Sequence, residues 1–257
     1  MLVVLGAGDV GVQIGSSTIP DLMFVDDVSL LCETRRSIQL GLNIIELFED
    51  IFRMKVNITK TEVLLLGYRV NMAQEESFIY KEVEIKVVLK AKYLGGMWST
   101  KDQHKLMMQH LTFNTRKVRF AVQTKMMKMG ALTPELKVRL GNTLIRPVGS
   151  FACQIWAVIF LQWSIDWKNL IEHEHVEFLK FVTGSASFVA HGVLREEACS
   201  LPYHAHWAVL VCRQWNSLSK SVGSLGHLAW KDNVDMYDPA RISVESVAER
   251  EKNALSY

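Results

Sequence analysis

The stretch Phe24-Val25-Asp26-Asp27-Val28-Ser29-Leu30-Leu31 sets two adjacent carboxylates inside an apolar, β-prone run. Burying such a pair without a counter-charge is costly. Two arrangements avoid that cost. An Asp-Asp turn between strands leaves both groups in water. A hairpin tip facing a cleft lets them hold Mg2+, a hard cation that takes oxygen ligands and usually binds substrate phosphates as well. Two-metal phosphoryl transfer needs carboxylates of this kind. In either case Leu22 to Phe24 and Val28 to Cys32 read as strands.

The neighbouring sequence extends this pattern. Upstream, Val12 and Ile14 alternate before the turn signal Gly15-Ser16-Ser17. Downstream, residues 35–52 read as a helix, because Leu40, Ile44, Leu47, Phe48 and Ile51 follow helical spacing and Thr34 suits the N-cap. Glu62 to Leu66 reads as a short strand, Phe78 to Val88 as a hairpin, and Lys92 to Leu94 as another strand. From about residue 101 the pattern is mostly helical, with Pro134, Pro147 and Pro202 marking helix starts or breaks. The tail after about residue 230 is polar, with a last short helix expected over Val244 to Ala254.

Taken in order, these segments resemble a known family. Phe24-Val25-Asp26-Asp27 resembles the F/Y-x-D-D motif of reverse transcriptases, in the form found in non-LTR (LINE-like) retrotransposons. Gly11 to Pro20 is similar to the hairpin that precedes that motif. Asn57, Lys60 and Thr61 match the N-x-x-K-T segment that follows, and Lys92-Tyr93-Leu94-Gly95-Gly96 resembles the Y-L-G segment. Further on, Leu144-Ile145-Arg146-Pro147, Gln154-Ile155-Trp156 and Arg213 to Leu218 continue the likeness. In Glu197-Ala198-Cys199-Ser200-Leu201-Pro202, Cys199 stands where the family's E-x-G-x-x-P stretch has glycine. The resemblance covers roughly residues 10–220 and is strongest up to residue 97.

The resemblance implies an α+β fold. Residues 1–97 would form a partial polymerase palm, an antiparallel sheet with a packed helix. Residues 98–165 would form a helical thumb, and 166–257 a helical extension with a polar tail. The implied activity is RNA-directed DNA polymerisation with Mg2+ on an RNA template and a DNA primer. Asp26 would be the direct metal ligand, and Asp27 a weaker ligand or an electrostatic support. Lys60 would sit near the incoming triphosphate. Tyr93, Gly95 and Gly96 would hold the primer end. The family also needs a further aspartate, on an upstream strand that pairs with the Asp26-Asp27 hairpin. Only Asp9 and Asp21 are acidic before Phe24, and neither has that context. The chain alone is therefore expected not to polymerise.

The charge pattern supplies an independent clue. Residues Lys90 to Arg146 contain 12 Lys+Arg and 2 Asp+Glu, whereas the whole chain has 29 and 27. A basic segment in a near-neutral chain is a candidate contact for a polyanion. At about 100° per residue, Lys101, Lys105, Arg116 and Arg119 fall within about 60° on a helix. Met107, Leu111, Val118, Val122, Met126 and Met129 fall on a neighbouring stripe. Such a ridge would track a phosphate backbone, on the template–primer duplex by resemblance. A non-catalytic nucleic-acid-binding remnant is the alternative reading.

Other patterns count for less. Gly6-Ala7-Gly8-Asp9-Val10-Gly11 matches a dinucleotide-binding fingerprint, but the following Gly, Ser, Thr and Pro residues oppose the helix it must open. The spacing of Cys199, His204, His206 and Cys212 departs from common zinc patterns. His173 and His175 read as surface residues, and the tryptophans at 156, 163, 167, 207 and 215 as packing residues. No apolar run reaches the roughly 18 residues of a membrane span. The four scattered cysteines and the absence of a basic n-region lead us to expect an intracellular, reducing compartment without a signal peptide.

Overall fold

The computed structural model describes residues 2–5, 11–67, 76–157, 170–186 and 188–236. Gly6 to Val10, Trp163, Trp167 and the expected helix over Val244 to Ala254 lie outside them. The fold is mixed α+β, and the chain divides into two compact units. The first comprises the described residues within Met1–Leu65, Glu76–Val87 and Gln214–Tyr257. The second comprises those within Leu66–Glu75 and Val88–Arg213.

The first unit is built on a six-stranded sheet of order β4-β5-β1-β6-β8-β7. Its strands are β1 (Leu2–Leu5), β4 (Asp21–Phe24), β5 (Asp27–Cys32), β6 (Glu62–Leu64), β7 (Phe78–Tyr80) and β8 (Val83–Val88). A separate hairpin pairs β2 (Val12–Ile14) with β3 (Ser17–Ile19). The expected all-antiparallel sheet is corrected here. β1 runs parallel to both β5 and β6, with Leu2 opposite Ser29 on one side and Glu62 on the other. The outer pairs β4–β5 and β7–β8 are antiparallel hairpins. Parallel strands need a crossover. Helix α1 (Arg35–Phe52) supplies it, joining β5 to β6 across the intervening β1.

Thr34 caps α1, its side chain accepting from the Ser37 amide while Ser37 Oγ accepts from the Thr34 amide. The helix buries Ile38, Gly41 and Leu42 in a unit whose core includes Leu30, Cys32, Leu64, Phe78, Tyr80 and Ile85. Leu40, Ile44, Leu47, Phe48 and Ile51, the stripe that signals the helix in the sequence, face outward instead. Helix α1 is therefore apolar on two sides. Helix α9 (Leu225–Met236) also belongs to this unit, where Trp230 meets Trp215 edge to face.

The second unit is mainly helical. A short hairpin, β9 (Lys90–Tyr93) with β10 (Gly96–Ser99), packs on the long helix α2 (Gln103–Lys128). Its other described helices are α3 (Pro134–Leu144), α4 (Arg146–Gly149), α5 (Cys153–Trp156), α6 (Leu170–Thr183), α7 (His191–Glu197) and the part of α8 (Tyr203–Lys220) up to Arg213. Pro134 opens α3 behind the Thr133 cap, and α8 begins just after Pro202. Two apolar clusters hold these helices. One gathers Met107, Leu111, Trp156, Ile171, Tyr203 and Trp207, and the other Met126, Ile145, Phe178, Leu179 and Leu194. Val118 and Val122 pack against the second, as the α2 stripe predicts, whereas Met129 is exposed.

Candidate active-site hairpin and nucleic-acid interface

β4 and β5 form a hairpin in which Phe24 lies opposite Asp27, so Val25 and Asp26 make a two-residue turn. Val25 has φ 56° and is 90% exposed. A β-branched residue in the left-handed region is strained, and no packing offsets that cost here. Asp26 and Asp27 are exposed, and among the described residues neither carboxylate makes a hydrogen bond or ion pair. The strand that pairs with β5 on its other side is Leu2-Val3-Val4-Leu5, which carries no carboxylate. Among the described residues no group of three His, Cys, Asp or Glu side chains could hold a metal ion. The Asp26-Asp27 pair by itself falls short of a two-metal site.

Lys60 ends a one-turn 3-10 helix over Ile58–Lys60 that leads into β6. The Asn57 carbonyl accepts from the Lys60 amide and the Thr61 hydroxyl, which fixes this turn and leaves the Lys60 side chain exposed. Sheet register relates Lys60 to the carboxylates. Ser29, Leu2 and Glu62 lie side by side across β5, β1 and β6. Asp27 begins β5 and Lys60 lies just before β6, so both lie at the same end of these parallel strands.

The other predicted residues lie in the second unit. Leu94 (φ 46°) and Gly95 (φ 82°) form the two-residue turn of the β9–β10 hairpin. A Cβ on Gly95 would lie 3.0 Å from the Phe151 ring, and one on Gly96 3.1 Å from the Met107 methyl. Turn geometry and packing thus account for both glycines. Tyr93 is half-buried beside them.

The predicted basic ridge needs correction. Lys101 precedes α2 rather than lying on it. Lys105 is exposed as expected. Arg119 is buried, donating through Nε to Glu174 at 2.9 Å and through its guanidinium to Gln123 at 3.1 Å. Arg116 donates to the other Glu174 oxygen at 2.6 Å but stays half exposed. Glu174 itself is 1% exposed, so its charge is neutralised by these two arginines. Arg119 is therefore a core residue, and the free face of α2 is centred elsewhere. Phe113 and Phe120 lie on that face, 56% and 55% exposed, beside Lys117. Their seven-residue spacing puts them on one side of a helix, a signal that the sequence carries.

His175 is also corrected, from surface to interior. Its Nε2 lies 3.1 Å from Ser200 Oγ and its Nδ1 3.4 Å from Glu172. Burial lowers the His175 pKa below its ordinary value. Glu172 accepts from Arg195 at 2.8 Å and from the Tyr203 amide at 2.6 Å. Burial alone would raise the Glu172 pKa, but these donors, with His175, hold it at about 2. Cys199 and Cys212 are exposed free thiols. Cys199 has φ 44° and ends α7 in a Schellman motif, its amide donating to the Glu196 carbonyl and the Ser200 amide to that of Arg195. A left-handed position of this kind suits glycine, and cysteine occupies it here at a cost in strain.

Neither the family models, nor the curated proteins, nor the solved structures compared with this chain gave a match. The described helices include none long and apolar enough to cross a membrane.

Proposed function

We propose that the chain is the C-terminal palm and thumb portion of a reverse transcriptase of the non-LTR type, which binds a template–primer but does not extend it alone. The observation that carries this reading is the exposed Asp26-Asp27 hairpin, with Lys60 at the same end of the sheet. The two carboxylates on this strained turn have no structural partner among the described residues, and a role in chemistry accounts for them. By resemblance, Asp26 and Asp27 would bind Mg2+ and Lys60 would meet the triphosphate. Two carboxylates beside the acid-free strand Leu2–Leu5 do not complete that site, so we derive no catalytic step through the metal.

The acid-free β1 also favours the second reading, a non-catalytic binding module. Both readings give α2 the same task. The dinucleotide reading loses its basis, because residues 12–19 form a hairpin where it needs a helix N-terminus. Binding of a labelled RNA–DNA template–primer over a range of salt tests the shared claim. With Lys105, Arg116, Lys117 and Lys128 on phosphates, log affinity should fall against log salt with a slope near −3 to −4. A flat response would contradict it.

A further inference from the structure

Helix α2 spans 26 residues with six Lys+Arg and no Asp or Glu. Its buried side is fixed by Met107, Leu111, Thr115 and Met126. The far side carries Phe113, Lys117, Phe120 and Lys128, with the exposed Lys105 and Arg116 along its edge. Phe113 and Phe120 are separated by almost two full turns, so they leave the helix on one line, about 10 Å apart along the axis. Both rings are backed by cations. The Arg119 guanidinium lies 4.3 Å from the Phe120 centroid and is itself held by Glu174 and Gln123. The Lys117 ammonium lies 4.5 Å from the Phe113 centroid. A half-exposed ring steadied from one side is a preorganised surface for a second flat group.

The charge of the line selects the partner. An apolar protein surface gains nothing from it, whereas a nucleic-acid backbone does. The rings select further. In a duplex the base faces are already stacked, so only an unpaired strand can offer them to phenylalanine.

We propose that this face of α2 is a stacking platform for single-stranded nucleic acid, with Phe113 and Phe120 each taking a base and Lys105, Arg116, Lys117 and Lys128 the phosphates. The inference rests on α2 as a nucleic-acid contact and names the unpaired strand as its ligand. Aromatic stacking with little base-edge contact makes it tolerant of sequence.

The test uses the full chain, fluorescence anisotropy, a labelled oligo(dT) of about 12 nucleotides and a blunt RNA–DNA hybrid of similar length. Phe113→Ala and Phe120→Ala should each weaken oligo(dT) binding about tenfold, leave hybrid binding within about twofold, and leave the salt slope of both unchanged. Phe120→Trp should keep the affinity, and oligo(dT) should quench its fluorescence more than that of the wild-type chain, which already has seven tryptophans. Both rings are half exposed, so unchanged melting temperatures are expected. Where an alanine variant fails to fold, the Phe120→Trp quench decides. Wild-type oligo(dT) affinity in the alanine variants, equal losses on both ligands, or an unquenched tryptophan would overturn the platform. Hybrid binding without oligo(dT) binding would sink this inference and leave the proposed function standing. Loss of both would sink the two together.

Discussion

Glu174 and Asp26 are both acidic residues, and the fold treats them in opposite ways. Glu174 is buried and gives each of its oxygens to an arginine. Glu49 is likewise enclosed, accepting from the Tyr80 hydroxyl at 2.6 Å, Lys81 at 2.8 Å and the Val56 amide at 2.8 Å. Asp26 and Asp27 stand exposed on a turn that strains Val25, without a partner among the described residues. The first kind of carboxylate is explained by the stability of the fold. The second is not, and a function is sought there for that reason.

Stability measurements can break this contrast. The largest effect is expected for Glu174→Ala, which strands the buried Arg119 guanidinium and should cost about 3–5 kcal/mol in chemical denaturation. Restoring a neutral interior with Arg119→Met in the same chain should recover part of that loss. If Glu174→Ala costs under about 1 kcal/mol, the buried pair is not structural.

Acid should act next. The hydrogen bond from Lys81, with help from Tyr80, holds the Glu49 carboxyl at about 2, below its unfolded value. Its stabilising contribution is complete above the unfolded carboxylate range and is lost as pH falls from about 4.5 towards 2. Burial lowers the His175 pKa, so that residue adds a loss starting below about pH 6.5, where the unfolded chain protonates first. The melting temperature should therefore decline between pH 6.5 and 2, and Glu49→Gln should flatten the lower part of the curve. An unchanged acid limb in Glu49→Gln would count against the Glu49 network.

The hairpin should respond in the opposite sense. Val25→Gly relieves a positive φ at the first turn position and should stabilise by about 1 kcal/mol. A loss instead would mean that the valine side chain has a structural task. The smallest effect is expected for Asp26→Ala and Asp27→Ala, each within about 0.5 kcal/mol of wild type. A cost above about 1.5 kcal/mol for either would place the aspartates with Glu174 as structural residues.

What the sequence reveals follows the range of the interactions. The β4–β5 hairpin, the bounds and cap of α1 and the start of α3 rest on neighbours a few residues apart, and all are legible. The pairing of β1 between β5 and β6 joins segments tens of residues apart, and no local pattern announces it. The partner of Arg116 and Arg119 is equally remote, so periodicity grouped them with the exposed lysines. Helical spacing also located α1 without showing which apolar side meets the core. The left-handed backbone of Cys199 is likewise set by the helix end and is not signalled by cysteine itself.

Primer extension on an RNA template with Mg2+ and all four deoxynucleoside triphosphates tests the central claim most directly. With the template–primer held by α2, as proposed, and Asp26-Asp27 flanked by the acid-free strand Leu2–Leu5, the pure chain is expected to bind and to give no extended product. Extension by the pure chain, abolished in Asp26→Ala, would contradict the claim that its metal site is incomplete.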